Sequence, residues 1–286
     1  MARLTPADVS AVVCTMNSIA SIMQCLESLR EAGVGELVVV DADSSDGTRE
    51  VAEALADLVL TDPGTGLGNA RNLGIAHSTG ALVLNMGSDN VISPDQLQLM
   101  IDELVERKVQ GVSARTEIAG TSYSARGLNA WRKGRFVPGP ARVIGTPTLF
   151  IGDLLRAHPY DSTTRFSDDS ELCERWAAEL GARFAISSAV VQELGKTSWE
   201  EVRVRCRMYG ISDHEVYERG VRSGWPVGRR LQSAAHPLKV DLVEPLARLS
   251  PPEAVVTAPF LVTFTGLRYA AWITTAVRGQ LHRRSS

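Results

Sequence analysis

The alternation of short apolar runs with helical patterns through the first half of the chain constrains its fold most. Residues 9–14 and 36–40 are short, apolar and rich in valine, as strands buried on both faces are. Each is followed by a helical pattern, over 18–32 with Ile19, Ile22, Met23, Leu26 and Leu29 at helical spacing, and over 46–56. A short third strand over 57–60, a helix over 68–77 and a fourth strand over 81–84 continue the series. Ser93-Pro94-Asp95-Gln96 then supplies an N-cap, a proline at the first helical position and a capping-box glutamine, so a helix runs to about Lys108. Residues 112–118 read as another strand. This order predicts an α/β domain with a mostly parallel sheet flanked by helices, with right-handed crossovers and ligands gathered beyond the C-terminal strand ends.

The second half departs from that rhythm. Residues 121–147 are polar and rich in Gly and Arg, and predict a helical or irregular excursion over the sheet, of the kind that serves as a lid or binding loop. Residues 171–180 predict a helix closed by Gly181, and 182–191 a strand. From Ser198 onward the pattern is mainly helical. The expected division is a domain over 1–197, its two halves meeting near residue 110, and a helical extension over 198–286.

A chain of 286 residues with 44% hydrophobic and 22% charged content has room for one large α/β domain and an appendage. Its net charge of −3 hides an asymmetry: residues 196–286 hold 14 Lys+Arg and 8 Asp+Glu, while the remaining 195 residues hold 16 and 25. An acidic body suits a metal-using catalytic domain. A basic tail suits an anionic partner such as a phospholipid surface, a phosphorylated molecule or a neighbouring subunit, or it is a solvated face. No nucleic-acid partner is expected. Cys14, Cys25, Cys173 and Cys206 form no C-x-x-C pair, which argues against a zinc ribbon or redox motif and fits a reducing cytoplasm. Residues 1–8 lack the apolar core of a signal peptide. Residues 254–277 are apolar but contain Pro259, Gly266 and Arg268, a poor spanning helix. They read as an amphipathic helix on a membrane surface, or as one packed on the main domain or on a second copy in a homodimer. The expected location is cytoplasmic, with peripheral attachment to the inner membrane face as the variant.

Four constellations could carry chemistry. Asp41-Ala42-Asp43-Ser44-Ser45-Asp46-Gly47-Thr48 follows a valine-rich strand, where Asp41 could accept hydrogen bonds from a base or ribose while Ser45 and Asp46 form a turn and cap. Arg71 follows the glycine-rich stretch 64–68 near a helix start, where a guanidinium can bind a diphosphate or a base edge, or lie on the surface. In Gly87-Ser88-Asp89-Asn90, Asp89 could ligate Mg2+ or Mn2+ bridging phosphates, or form an Asx turn. In Phe166-Ser167-Asp168-Asp169, two acids open a helix, either as dipole-matched caps or with Asp169 as a base for a hydroxyl.

Taken in order, these segments resemble family 2 glycosyltransferases of the GT-A fold. The strand from Val9 to Asn17, Asp41 with Ser45-Asp46-Gly47-Thr48, Ala70-Arg71-Asn72-Leu73-Gly74-Ile75, Gly87-Ser88-Asp89 in place of the D-x-D motif, and Asp168-Asp169 with Leu172 and Arg175 in place of the E-D motif carry the resemblance across roughly the first two hundred residues. It implies an inverting hexosyl or N-acetylhexosaminyl transfer from a nucleoside-diphosphate sugar, most simply a UDP-sugar, to a hydroxyl of a lipid-linked, saccharide or small-molecule acceptor. It also implies that Thr15, Asn17, Asp41, Arg71, Ser88 and Asp89 hold the donor, that Asp89 binds Mg2+ or Mn2+, and that Asp169 is the general base. Trp131 and Arg132, within the excursion, and Asp168 are the acceptor-side candidates.

Two departures from the family pattern stand out. Gly87 occupies the place of the first D-x-D acid, and Glu193 that of a metal-binding histidine. Glu193 could restore the missing carboxylate, since a hard oxygen ligand suits Mg2+ or Mn2+, or it is a surface residue after a strand. A nucleotidyltransferase would carry a glycine- and lysine-rich loop after the first strand, where this chain has Thr15-Met16-Asn17-Ser18. A non-catalytic sugar-nucleotide-binding subunit is the other alternative, motivated by Gly87.

Overall fold

The computed structural model describes residues 3–62, 64–163, 168–195 and 197–284, with side chains in the last helix to residue 278. The chain divides into two compact units, Met1–Glu117 with Pro138–Leu194, and Ile118–Val137 with Gly195–Ser286. Of the excursion expected over 121–147, residues 121–137 thus group with the C-terminal helices and residues 138–147 with the sheet.

In the first unit the expected alternation is present. Strands β1 (Val9–Thr15), β2 (Glu36–Asp41), β3 (Leu58–Thr61) and β4 (Leu82–Gly87) alternate with α1 (Ile22–Glu31), α2 (Thr48–Leu55) and α3 (Leu67–His77). They pair in parallel in the order β3-β2-β1-β4. A two-residue β5 (Asn90–Val91) precedes α4 (Pro94–Arg107), β6 (Gly111–Ile118), β7 (Gly139–Ala141), β8 (Thr148–Ile151), α6 (Gly152–Ala157), α7 (Asp168–Leu180) and β9 (Phe184–Glu193), with α5 (Tyr123–Arg135) lying in the other unit. The sheet continues from β4 as β8-β6-β9-β5, with β7 also on β9, and the contacts β4–β8, β6–β8, β5–β9 and β7–β9 are antiparallel. The sheet is therefore mixed, with β8 running antiparallel to both its neighbours, β4 and β6.

The strand period of two loads both faces. Val9, Ala11, Val13, Leu37, Val39, Leu82 and Leu84 join one apolar layer with Leu26 and Met100, whereas Val12, Val38 and Val83 join the other with Leu172 and Trp176. Helix α3 lies close on the second face because Gly74 has no side chain; a Cβ there would sit 2.5 Å from Val12 Cγ1. Gln96 does not complete a capping box. Its Oε1 accepts a hydrogen bond from the Val190 N–H (2.6 Å) and ties α4 to β9 instead.

The second unit is helical: α5, α8 (Trp199–Arg222), α9 (Val227–Leu238), a π turn Lys239–Val243, α10 (Glu244–Arg248) and α11 (Pro251–Arg284). Ser122 caps α5 by accepting from the Ala125 N–H, and Ser198 with Glu201 forms a capping box on α8. Leu128, Trp131, Val202, Cys206, Phe260 and Phe264 make its core.

Candidate active site

The register brings the expected donor residues to one edge. Thr15 is opposite Asp41 and Cys14 opposite Gly87, so β1, β2 and β4 end together. Asp41 is fully buried there, its two carboxylate oxygens accepting from Ser44 Oγ (2.5 Å) and Ser44 N–H (3.1 Å). Asn17, at φ +49, donates its N–H to Ser44 Oγ (2.8 Å) and accepts from the Ser45 N–H (3.0 Å). Asp46 accepts from the N–H groups of Ile19 and Thr48, so it is the turn-and-cap residue its sequence context allows. Thr15 Oγ1 is buried with no hydrogen-bond partner among the described residues, an orphan that a ligand at this edge would satisfy.

The β4–β5 turn carries the next group. Ser88 Oγ lies 3.0 Å from Ser18 Oγ, and Gly87 N–H donates to Asn90 Oδ1 (3.2 Å). Asp89 turns back over the glycine, where a Cβ at position 87 would lie 2.9 Å from Asp89 Oδ1. Glycine here thus makes room for the neighbouring carboxylate. Strand β9 runs two residues further than expected and includes Glu193, which is buried rather than on the surface, pairs with Asn90, and is followed by Leu194 donating to the Asp89 carbonyl (2.7 Å). Asp89 and Glu193 therefore belong to neighbouring segments of one sheet edge. Among the described residues no three His, Cys, Asp or Glu side chains group closely enough to hold a metal by themselves.

Arg71, expected near the base or diphosphate, meets two carboxylates. It rises from α3, 8% exposed, and its Nη1 donates to Asp168 Oδ2 (2.6 Å) and Asp169 Oδ1 (3.2 Å) while Nη2 donates to Thr146 Oγ1 (2.8 Å). The guanidinium lies 5.3 Å from the centre of the Tyr160 ring. Tyr160 donates its hydroxyl to Asp169 (3.3 Å) and accepts from Asn85 Nδ2 (3.1 Å), and the Asn72 side-chain amide pairs with both backbone groups of Tyr160. Helix α7 thus opens with two carboxylates that, among the described residues, share one cation. Burial raises the Asp169 carboxyl above its ordinary range, with Arg71 opposing and Asp168 adding to the rise. Burial also works against the Arg71 charge, but Asp169, Tyr160 and Asp168 more than offset it. Such an acid gains basicity, which suits proton abstraction from a hydroxyl. Phe166 and Ser167 of this motif lie outside the described residues.

Tyr160, Thr146 and Asn85 belong to this cluster and carry no sequence signal of their own. Trp131 and Arg132 do not present open side chains. Trp131 is 2% exposed in the core of the helical unit, donating Nε1–H to Asp241 (3.1 Å), and Arg132 is buried in the same unit. An enclosed indole cannot stack on an acceptor, so Trp131 is a packing residue. All four cysteine thiols are pushed up to about 12, chiefly by burial, and form no disulfide.

The mixed α/β sheet with helices around it is that of a GT-A type fold. Residues 10–155, about half of the chain, match the family described as Glycosyl transferase family 2, and the chain belongs to that family. It is 39% identical over 101 residues to the succinoglycan biosynthesis protein ExoO of Rhizobium meliloti (strain 1021), covering 33% of this chain and 29% of ExoO. The chain spans about a third of the length of the curated relatives it matches. Two solved structures share the fold. One is the mannosyltransferase PcManGT from Pyrobaculum calidifontis in complex with GDP-Man and Mn2+ (TM-score 0.61, 21% identity, 96% of this chain and 88% of that one). The other is glucosyl-3-phosphoglycerate synthase from Mycobacterium tuberculosis in complex with Mg2+ and UDP (TM-score 0.53, 19% identity, 76% and 80%).

Proposed function

We propose that this protein is an inverting glycosyltransferase, with Asp169 deprotonating the acceptor hydroxyl as that oxygen attacks the anomeric carbon of a nucleotide sugar. The reading is carried by Asp169: a raised carboxyl at a helix start, held by Arg71 and Tyr160. In-line attack leaves the nucleoside diphosphate departing from the opposite face. Thr15 and Asp41 line the edge that would take the nucleoside, with Asn17 and Ser44 shaping the loop beside it. Arg71 is a positioning residue that keeps the base ionised and aimed, rather than a donor ligand.

The strand edge at Asp89 fits a divalent cation shared with a diphosphate. It offers one half-exposed carboxylate, room made by Gly87, and a second carboxylate at Glu193 on the adjoining strand. Such sites suit Mg2+ or Mn2+, which accept one or two carboxylates plus phosphate oxygens and water. When bound, the cation would offset charge developing on the leaving diphosphate. The two structural relatives hold GDP-Man with Mn2+ and UDP with Mg2+ respectively, which supports a nucleoside-diphosphate donor and a divalent cation. A UDP-sugar is the finer reading, and the acceptor is a hydroxyl of a saccharide, lipid-linked or small molecule.

The test is a panel of UDP- and GDP-sugars assayed with Mg2+ or Mn2+ and simple hydroxyl acceptors. Nucleoside diphosphate should be released with one sugar far above the others, and thermal shift should rise with the same donor. Pyrophosphate release, or donor binding with no transfer to any acceptor, would assign the site to one of the two alternatives.

A further inference from the structure

The helical unit is strongly basic. Ile118–Val137 with Gly195–Ser286 contains 18 Lys+Arg against 8 Asp+Glu, a net of +10, whereas the rest of the chain holds 12 against 25, a net of −13. The excess is concentrated. From Arg219 to Val240 there is no acidic residue, but there are five cations: Arg219, Arg222, Arg229, Arg230 and Lys239. Helix α9 lies in this stretch.

An ordinary surface helix turns its apolar stripe to the core and its charges to water. Helix α9 does otherwise. Val227 is 69% exposed and Leu231 65% exposed, and Leu238 is exposed as well. Spacings of four and seven residues put the three on one side of the helix. Lys239 is exposed about a quarter-turn round from the stripe, at 3.7 Å from Glu244, and Arg229 is exposed about half a turn round, its guanidinium 4.3 Å from the centre of the Trp225 ring. The attachment of α9 to its own unit uses the flank beside the stripe, where Pro237 is buried and the Ala234 carbonyl accepts from the Tyr269 hydroxyl (2.7 Å).

We propose that α9 docks this unit onto an anionic phospholipid surface. Its apolar stripe enters the headgroup boundary, and the net positive charge of the unit draws it to the lipid phosphates. Charge selects this occupant over a second copy of the chain: two apposed α9 faces would bring two +10 units together, with no acid in the stretch to pair them. An anionic leaflet supplies the missing counter-charge. Attachment is peripheral. Pro251–Arg278 within α11 is long and apolar enough to cross a bilayer, but its inward face carries Phe260, Phe264 and Arg268, which build the unit's core and ion pairs.

The test uses the full chain and vesicles of phosphatidylcholine, alone or mixed with phosphatidylglycerol, read by flotation with no nucleotide or acceptor present. Its outcome is therefore independent of sugar transfer. Binding to the mixed vesicles should exceed binding to the neutral ones by at least about tenfold and should fall at high salt. The outward pair V227E/L231E should lose at least about tenfold while keeping its melting temperature. R229E/K239E, which spares the apolar stripe, should lose binding too, and carries the decision if the first variant fails to fold. Absence of flotation, equal binding to neutral vesicles, or variants that bind like the wild type would overturn the proposal. A wild-type dimer that V227E/L231E turns into monomer would assign the face to a second copy.

Discussion

Two arginines in this molecule look alike at first sight and do different work. Arg71 in the sheet unit and Arg268 in the helical unit each meet two aspartates and lie over a tyrosine ring, Tyr160 at 5.3 Å and Tyr209 at 5.1 Å. The difference is charge balance. Arg268 grips Asp213 through two nitrogens (2.6 and 2.8 Å) and Asp241 at 2.7 Å, and Asp241 also takes Arg135 (3.0 Å) and the Trp131 indole. Two cations meet two acids there, and Asp241 has no exposed surface. Among the described residues Arg71 is the one cation that serves Asp168 and Asp169, both of which keep part of their side chains open to solvent. A saturated buried pair holds helices together; an under-neutralised pair at an open helix start can carry a proton.

This contrast is exposed to three variants, taken from the largest expected effect. Asp169→Asn should cut sugar transfer by about 10²–10⁴ with donor affinity changed less than about twofold, because a general base acts on the acceptor. The fold should survive, since Asp168 still holds Arg71. A variant with full turnover would break the contrast at its catalytic end. Asp241→Asn should instead cost about 3–5 kcal/mol of stability, read by chemical denaturation, because two buried guanidiniums lose a shared carboxylate. Unchanged stability would show that the helical cluster is not the structural counterpart. Glu193→Ala should weaken metal dependence, raising the half-saturating Mg2+ or Mn2+ concentration by about tenfold. No change would leave Asp89 and the donor phosphates to hold the cation.

Apart from β5, the strands and helices up to residue 118 were legible because β1 and β2 are continuous apolar runs and α1 and α4 repeat a period near 3.6. Strands β5, β7 and β8 were not. They are two to four residues long and are made by partners far along the chain, as when Thr148–Ile151 inserts between β4 and β6. Asp89, Asp169 and Arg71 were found from their places at strand ends and helix starts, but the partner of Arg71 was not. Its pairing with Asp168 spans 97 residues, and no local pattern announces it. Tyr160 escaped for the same reason, since Asn72, 88 residues earlier, positions it. Trp131 misled because an aromatic among Arg and Lys reads as an open ligand platform, while the acid that buries it, Asp241, lies 110 residues away.

The most direct measurement is the pH dependence of turnover in the wild type and in Arg71→Met. Arg71 lowers the carboxyl that burial raises, so its removal should move the Asp169 titration upward. The acid limb of the kcat profile should therefore lie above the ordinary aspartate range in the wild type and shift further upward in the variant, with activity recovering at higher pH. An acid limb that stays in place when Arg71 is replaced, or a loss of donor binding with no pH signature, would contradict Asp169 as a base held by Arg71.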